Sequence, residues 1–233
     1  YLFAKKNNGQ FLLRIEDTDR ERFVEGSTER IIESLNWLGM APDNSKNILI
    51  QSQRLEIYKK HALLLLEKGD AYICVCSKEK LSADREKQMQ EKRPTRYEGH
   101  CRELNLKLEN IRSKEYVIRI KMPKEGSITV NDLIRGEVTF DLSLLDDQIL
   151  LKSDGYPTYH LASVIDDHEM NITHVIRAEE WLPSTPKHIV LYQMFGWTMP
   201  EFAHLPMILA PDRSKLSKRH GANGVFEYKK LGY

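Results

Sequence analysis

The chain has 233 residues, and its 35 lysines and arginines against 34 aspartates and glutamates leave a formal net charge of only +1. Any contact with nucleic acid must therefore come from local basic patches and not from bulk charge. The apolar runs fall far short of the roughly eighteen uncharged residues of a membrane-spanning helix, which excludes such a span. The three cysteines, an odd number, do not form a disulfide framework and favour a reducing compartment.

The first part of the chain predicts a strand followed by a helix. Residues 9–16, "GQFLLRIE", alternate between apolar and other side chains as a strand does, and they lead into the acidic cluster "EDTD". This cluster lies at the carboxyl end of the predicted strand, where α/β proteins place their chemistry. The next segment predicts a helix with Ser27 as its N-cap and a shared face of Ile31, Leu35 and Leu38.

Three more elements are predicted before the middle of the chain. A helix over residues 53–68 ends at Gly69 as its C-cap. The segment "AYICVC" predicts a short strand, and residues 77–92 predict a highly charged helix. The buried face of the helix over 53–68 is predicted to consist of Leu55, Tyr58, Ala62 and Leu65.

The pattern changes in the second half. Residues 116–140 alternate with a period of two around turn residues, which is typical of antiparallel strands. A rhythm of strands and helices then returns: "ITHVIR" predicts a strand, and "STPKHIVLYQMFGW" predicts a helix with Pro186 near its first position and Gly196 at its end.

These changes divide the chain into four predicted segments. Residues 1–70 and 156–210 form the two parts of one α/β domain built on an open parallel sheet. Residues 71–155 form an α+β lobe inserted between them. Residues 211–233 hold a basic loop and the start of a following helical region.

That basic loop has two interpretations. The stretch "PDRSKLSKRHG", residues 211–221, places four cationic side chains between Arg213 and Arg219. Such clusters are usually solvated loops or nuclear-import patches. The alternative is a phosphate-binding loop, bounded by Pro211 and Gly221. Nothing within the stretch decides between these interpretations.

Arg177 is a candidate for anion binding. It ends the strand "ITHVIR", and "AEEW" follows directly. An arginine at the carboxyl end of a strand can hold an anionic ligand through a two-pronged contact. The alternative is a surface ion pair between Arg177 and Glu180.

Three segments, taken in their order and spacing, carry a family resemblance. They are "RIEDTD" after the first strand, "GYPTYHLASVIDDH" with "VIRAEEW" in the second half, and "KLSKR" near the end. Together they resemble the catalytic domain of bacterial and organellar glutamyl-tRNA synthetases, which are class I enzymes, over essentially the whole chain. The resemblance implies a Rossmann-like dinucleotide fold, with residues 71–155 as the lobe that binds the acceptor stem of tRNA.

The resemblance also implies a reaction. The α-carboxylate of L-glutamate attacks the α-phosphate of ATP, accompanied by Mg²⁺, and pyrophosphate leaves. The glutamyl group then passes to the terminal adenosine of tRNA(Glu). No protein side chain becomes covalently attached, so catalysis consists of positioning and of neutralising phosphate charge.

Site residues carry over from the family position by position. Glu16 is expected to hold the α-amino group of glutamate, Tyr159 and Ser163 to line its pocket, and Arg177 to bind its side-chain carboxylate. Tyr159 could instead be a core residue, and Glu16 could simply be a solvated strand end. Lys215 and Lys218 are the expected catalytic residues. The expected nucleotide contacts are Glu180, Ile208, Lys215, Leu216, Ser217, Lys218 and Arg219.

Two features depart from the family pattern. Ser163 stands where the family usually has asparagine, so a water is expected to complete its contact. The His-x-Gly-His-type motif of class I enzymes is expected just before residue 1, where the chain opens without a methionine. We therefore expect the chain to lack part of its active site and to be inactive alone, and we expect helical anticodon-binding domains after residue 233.

The cysteines match a zinc site found in some family members. Cys74 and Cys76 precede Cys101 at the spacing used by those members, and Glu103 stands where they have a histidine. Three thiolates and one of Tyr97, His100 or Glu103 would complete a tetrahedron. The alternative is three reduced thiols.

The resemblance therefore predicts an ATP-dependent ligase that joins L-glutamate to tRNA(Glu). It is expected to be a monomer, not bound to a membrane, in a bacterial cytoplasm or an organelle matrix. Two rivals remain: the related enzyme that glutamylates queuosine in tRNA(Asp), and a catalytically incompetent tRNA-binding fragment.

Overall fold

The computed structural model of the chain describes residues 1–19, 24–111, 115–210, 212–216, 225–230 and 232. The helices are α1 (Leu2–Lys6), α2 (Ser27–Trp37), α3 (Leu55–Lys68), α4 (Lys78–Gln90), α5 (Tyr159–Glu169), α6 (Thr185–Phe195) and α7 (Val225–Lys230). The strands are β1 (Arg14–Ile15), β2 (Leu49–Ile50), β3 (Ala71–Cys74), β4 (Val117–Ile120), β5 (Ser127–Asp132), β6 (Gly136–Asp141), β7 (Ile149–Leu151), β8 (His174–Ala178) and β9 (Glu201–Leu205).

The chain forms two compact units. The first unit consists of Tyr1–Gln53 and Pro206–Tyr233, and the second consists of Arg54–Leu205. These units do not coincide with the four segments predicted from the sequence. The boundaries of the inserted lobe at residues 71–155 stay a prediction.

The first unit contains a short parallel pair, in which Arg14 of β1 pairs with Leu49 of β2. The strand predicted over residues 9–16 is therefore too long. The backbone N–H of Phe11 donates to the Asp43 side chain at 2.7 Å, and the backbone N–H of Leu13 donates to Asn44 Oδ1 at 2.8 Å. The side chains of Asp43 and Asn44 satisfy these backbone groups before β1, so no strand ladder is needed for them.

Helix α2 also differs in detail from its prediction. Gly26, with a φ of +73°, is its N-cap, one residue before the predicted Ser27. The face shared by Ile31, Leu35 and Leu38 is not fully covered, because Ile31 and Leu38 expose 44% and 45% of their surfaces. The apolar spacing was correct for a helix, but it does not state whether a neighbouring element covers the face.

The second unit contains a three-stranded sheet and the predicted helix beside it. Strand β4 pairs antiparallel with both β3 and β7. Tyr58, Ala62 and Leu65 of α3 are fully buried, as predicted, while Leu55 is only partly buried. Gly69 ends α3 with a φ of +80°, the left-handed conformation that favours glycine at a helix C-terminus.

A four-stranded sheet in the order β6-β5-β9-β8 holds the residues of greatest interest. Strands β5 and β6 form an antiparallel hairpin, whereas β9 pairs parallel with both β5 and β8. The hairpin belongs to the predicted lobe segment, yet it shares this sheet with strands predicted to belong to the α/β domain. The α/β prediction is confirmed, and the sheet is mixed rather than purely parallel.

The second unit also contains α4, α5 and α6. Helix α6 begins with Pro186 in its first turn and ends at Gly196, as predicted. Helix α5 was not predicted. Its sequence "YHLASVIDDHE" is buried from Leu161 to Asp167, so it lacks the polar face that marks a surface helix. No helix in the described part of the chain combines the length and apolar character that crossing a bilayer requires.

Candidate active site

Arg177 lies on β8 with its guanidinium group held by several partners. Its Nε donates to His204 Nε2 at 3.0 Å, and its Nη1 donates to Tyr159 Oη at 3.2 Å. Its Nη2 donates to Thr185 Oγ1 at 2.9 Å and to the Trp181 carbonyl at 3.4 Å. His204 of β9, Tyr159 of α5 and Thr185 of α6 together fix one orientation of the Arg177 guanidinium.

The hydrogen-bond count shows what Arg177 can still bind. An arginine has five N–H groups, and the four contacts within the described residues use four of them. The fifth is on Nη1, beside Tyr159. A carboxylate can take this donor without displacing a partner, whereas the two-pronged contact predicted from the sequence would have to share a second donor.

Tyr159 begins α5 and is half-buried. Its ring centroid lies 4.7 Å from that of Trp181, while its hydroxyl accepts from Arg177. A purely apolar core role does not explain this hydroxyl contact. Glu180 is exposed, and it is not among the hydrogen-bond partners that the described residues provide for Arg177. The surface pair between Arg177 and Glu180 is therefore not among the contacts of the described residues, and ligand binding by Arg177 stays a prediction.

Ser163 lies one turn further along α5 and is only 2% exposed. Its Oγ has no hydrogen-bond partner among the residues that the structure describes. A buried hydroxyl without a partner is costly. Ser163 could therefore bind a ligand atom or a water, and its predicted role in the glutamate pocket stays a prediction.

A chain of buried polar residues behind Arg177 was missed in the sequence. His204 Nδ1 lies 2.5 Å from Asp132 Oδ2. Burial raises the pKa of Asp132, but hydrogen bonds from His204 and from three backbone N–H groups outweigh it and lower that pKa to about 2. Burial lowers the pKa of His204, against the opposing hydrogen bond to Asp132. Asp132 is therefore ionised, and His204 is neutral at neutral pH.

A pair of histidines lies on the other side of Tyr159. His160 Nδ1 is 3.0 Å from His188 Nε2. Burial, and secondarily the charges of Lys187 and Arg177, lowers the pKa of His160 to about 4. Burial also lowers the pKa of His188 well below its usual value. Both rings are therefore neutral near neutral pH.

A cleft of about 440 Å³ opens within the second unit beside Tyr159 and His160. Arg119 and Lys187 are among the cationic side chains that line it. Gln148 also lines the cleft and is 8% exposed, and neither atom of its amide has a partner among the described residues. The cleft can therefore offer a donor and an acceptor to a polar ligand.

The predicted nucleotide-binding residues that the structure describes in the first unit lie in two short paired segments, residues 208–210 and 212–216. Lys215 pairs with Leu209 in an antiparallel bridge, and the Leu216 backbone N–H donates to the Ile208 carbonyl at 3.0 Å. Lys215 is exposed, and Ile208 exposes 75% of its surface. The predicted contacts Ser217, Lys218 and Arg219, with the bounding residues Pro211 and Gly221, lie outside the described residues.

Glu16 also lies in the first unit, directly after β1. It is exposed, and its carboxylate accepts from Arg14 Nη2 at 2.9 Å. The neighbouring Asp17 accepts from both the backbone N–H and the hydroxyl of Ser52, at 2.8 and 2.5 Å. Asp17 therefore fixes the end of the strand, and the Glu16 carboxylate is exposed to solvent.

The three cysteines form a cluster in the second unit. Their Sγ atoms all lie within 4.8 Å of one another, and those of Cys76 and Cys101 are 3.5 Å apart. Burial raises the pKa of Cys76 to about 12 in the absence of a metal ion. Burial also raises the pKa of Cys74, but hydrogen bonds led by Tyr97 outweigh it and lower this pKa.

The three candidates for a fourth ligand differ in their position. Tyr97 Oη lies 3.3 Å from Cys74 Sγ and 3.7 Å from Cys76 Sγ. His100 instead pairs with Asp84, at 2.8 Å. Glu103 has a side chain that is 75% exposed and lies near Arg102 and Lys121. Tyr97 is therefore the candidate whose ligand atom already adjoins the thiols.

Comparison with known proteins identifies the family. The family model described as tRNA synthetases class I (E and Q), catalytic domain, matches residues 1–233. The chain belongs to this family.

Individual class I tRNA synthetases are similar over the whole chain. Glutamate–tRNA ligase of Dehalococcoides mccartyi is 56% identical over 239 residues, which cover 100% of the chain and 49% of the relative. Glutamate–tRNA ligase of Alkaliphilus metalliredigens is 49% identical over 249 residues, covering 100% of the chain and 50% of the relative. The chain spans about half the length of the curated relatives it matches.

Solved structures of class I tRNA synthetases give the same result. The crystal structure of a glutamate tRNA ligase from Elizabethkingia meningosepticum in complex with its amino acid matches with a TM-score of 0.87 and 44% identity. The match covers 100% of this chain and 48% of that one. The predicted Rossmann-like fold of a class I synthetase catalytic domain is thereby confirmed.

Proposed function

We propose that this chain is the catalytic domain of a glutamate–tRNA ligase, which joins L-glutamate to tRNA(Glu) through a glutamyl-adenylate. The observation that carries the proposal is the fixed guanidinium of Arg177, with one N–H group on Nη1 left without a partner among the described residues beside Tyr159. A half-buried, oriented cation of this kind suits the side-chain carboxylate of glutamate. The similarity to relatives named glutamate–tRNA ligase supports the same substrate.

The pocket for glutamate combines several contacts. Arg177 binds the side-chain carboxylate, and Tyr159 packs beside it and keeps the guanidinium in place. Ser163 contributes its buried hydroxyl, directly or through a water. Glu16 holds the α-ammonium group of the substrate, for which its exposed carboxylate at the end of β1 is chemically suited.

ATP binds with Mg²⁺ on its phosphates. Lys215 and Lys218 neutralise the charge that builds on the departing pyrophosphate. Glu180 and Ile208 border the nucleotide. The exposed apolar side chain of Ile208 packs against adenine. The remaining nucleotide contacts are Leu216, Ser217 and Arg219. The pairing of Leu209 with Lys215, and the hydrogen bond from the Leu216 backbone N–H to the Ile208 carbonyl, support this role because they keep these residues together.

The cysteine cluster fits a structural zinc ion. Zn–S bonds of about 2.3 Å in a tetrahedron place the sulfur atoms about 3.8 Å apart, and the Sγ atoms of Cys74, Cys76 and Cys101 lie within 4.8 Å of one another. Tyr97 supplies the fourth ligand through its hydroxyl oxygen. The ion would link β3 to the segment around Cys101 and would stabilise this part of the chain.

The acceptor end of tRNA(Glu) binds to the lobe of residues 71–155. The cleft beside Tyr159 supports this, because it holds the cations Arg119 and Lys187 and the Gln148 amide, which has no partner among the described residues, and these groups suit a nucleotide. The protein acts as a monomer, not bound to a membrane, in a bacterial cytoplasm or an organelle matrix.

Exchange of radioactive pyrophosphate into ATP tests the proposal. We expect glutamate-dependent exchange in the protein encoded by the complete reading frame, and charging of unmodified tRNA(Glu). Charging only of queuosine-containing tRNA(Asp) would identify the queuosine enzyme. RNA binding without any exchange would identify a catalytically incompetent tRNA-binding protein. The same assay on residues 1–233 alone tests the expected inactivity of this part.

A further inference from the structure

Arg177, His204 and Asp132 form a connected row across three adjacent strands. Arg177 of β8 and His204 of β9 are direct partners in the parallel register. Asp132 ends β5, which lies on the other side of β9. His204 is 0% exposed and Asp132 is 4% exposed, so the row runs from the candidate glutamate site into the interior of the sheet.

The hydrogen bonds determine which nitrogen of His204 carries its proton. Arg177 Nε can only donate a hydrogen bond, so His204 Nε2, at 3.0 Å, must accept one. The hydroxyl of Thr185 lies 3.3 Å from the same nitrogen and can donate to it as well. The proton of the neutral ring is therefore on Nδ1, from which it is donated to Asp132 Oδ2 at 2.5 Å.

Asp132 is itself held in a single orientation. Its Oδ1 accepts three backbone N–H groups, those of Ile134 at 3.0 Å, Arg135 at 2.9 Å and His204 at 3.1 Å. Its Oδ2 is left to receive the imidazole. The backbone N–H groups fix the carboxylate of Asp132. The carboxylate in turn fixes the ring of His204, and the ring fixes Arg177 Nε.

We propose that Asp132 and His204 are positioning residues that hold Arg177 for recognition of an acidic side chain. This inference rests on the proposed function, in which Arg177 binds the glutamate carboxylate. The neutral imidazole occupies Nε and keeps Asp132 from pairing directly with the guanidinium. The positive charge of Arg177 therefore stays available to the substrate, and the N–H on Nη1 is the donor left for it.

The variant Asp132→Asn tests the row with little change in shape. The three backbone N–H groups keep the amide oxygen on the Oδ1 side, so the amide NH₂ faces His204 Nδ1 and donates to it. The imidazole proton must then move to Nε2, which can no longer accept the hydrogen bond from Arg177 Nε because two N–H groups would face each other. An aspartate that selects a histidine tautomer has this effect when it is replaced by asparagine. Asp141→Asn, at the other end of the same hairpin, is the matched control.

Two measurements read out the result. The ¹⁵N NMR shifts of labelled His204 are expected to show the Nδ1–H tautomer in the unaltered protein and in Asp141→Asn, and the Nε2–H tautomer in Asp132→Asn. In the full-length protein, the KM for glutamate in pyrophosphate exchange is expected to rise roughly 10-fold or more in Asp132→Asn, with the KM for ATP unchanged.

The outcomes separate this inference from the proposed function. A proton on Nε2 in the unaltered protein overturns the inference without any variant, even if Asp132→Asn fails to fold. The inference is also overturned if Asp132→Asn changes the tautomer of His204 but leaves the KM for glutamate unchanged. This outcome counts only if Arg177→Ala raises the KM for glutamate. If Arg177→Ala leaves glutamate use unchanged, the proposed role of Arg177 fails instead, and the positioning role fails with it.

Discussion

The hydroxyl oxygen of Tyr97 lies 3.3 Å from the sulfur of Cys74. It also accepts the backbone N–H of Cys101 at 3.0 Å, which ties it to a second cysteine of the cluster. Of the three candidates for a fourth zinc ligand, Tyr97 therefore needs the least rearrangement to reach a metal ion held by the thiols.

Tyr97→Phe is predicted to weaken zinc binding by roughly 10-fold or more, because it removes a ligand oxygen while keeping the ring. Protein purified without chelator should carry close to one zinc ion per chain, measured by elemental analysis. His100→Gln, which alters a neighbour that pairs with Asp84, should keep its zinc. Cys101→Ser should lose the ion and destabilise the lobe. Freshly purified protein with no zinc and three freely titratable thiols would contradict the site.

Arg177→Ala is predicted to weaken glutamate use by roughly 10- to 150-fold in the full-length protein, because a charge-assisted hydrogen bond contributes about 1.5–3 kcal/mol. The KM for ATP should change little. Pyrophosphate exchange at varied glutamate and ATP concentrations measures both values. Arg93→Ala removes an equal charge from the segment after α4 and should leave both unchanged. A loss of ATP binding with normal glutamate use would assign Arg177 to the nucleotide instead.

Lys218→Ala is predicted to slow adenylate formation by roughly a hundred- to a thousandfold, because one donor to developing charge contributes about 2.7–4 kcal/mol. An ammonium group beside the departing pyrophosphate stabilises the transition state more than the ground state. Glutamate affinity should change little. Arg213→Ala, in the same basic stretch, should have a much smaller effect. Near-normal exchange by Lys218→Ala would reduce the stretch to a solvated basic loop.

The histidine pair predicts how stability depends on pH. The pKa of His160 falls from 6.5 to about 4 on folding, and that of His188 falls as well. Between these values the unfolded chain binds protons that the folded chain does not. Stability is therefore lost as the pH falls from 6.5 towards 4. Lys187 and Arg177 also oppose protonation of His160, whereas Asp146 favours it.

Urea unfolding of the wild-type chain and of His160→Gln at several pH values measures this effect. The variant should lose less stability between pH 6.5 and 4, because one of the two titrating groups is gone. His174→Gln, on β8 and outside the pair, should keep the wild-type dependence. Parallel curves for the wild type and His160→Gln would refute the prediction.

An element could be predicted from the sequence when the residues that define it lie within the element itself. Helix α3 was predicted correctly because a regular apolar spacing ends at Gly69, and α6 because Pro186 and Gly196 mark its two ends. Helix α5 was missed because it is buried from Leu161 to Asp167 and its C-cap is Met170, without the glycine that marks the ends of α3 and α6. The strand over residues 9–16 was overestimated because Asp43 and Asn44, far along the chain, bind its backbone.

The candidate site divides in the same way. Arg177 and Tyr159 were found through motifs that resemble a known family, and the structure places their side chains in contact. Asp132 and His204 were missed because each occupies an ordinary position in an alternating strand. Only the pairing of β5 with β9, which are distant in sequence, brings the carboxylate to the imidazole.

The position of β9 beside β5 imposes an order on folding during translation. The strands β3, β4 and β7 have all been translated once Leu151 has been added, so their sheet can assemble early. Strands β5 and β8 must wait for β9, and until then the edge of β8 that pairs with Glu201–Leu205 carries unpaired backbone groups. Open strand edges invite pairing with other chains. We therefore expect a nascent or truncated chain that stops before Glu201 to be prone to aggregation.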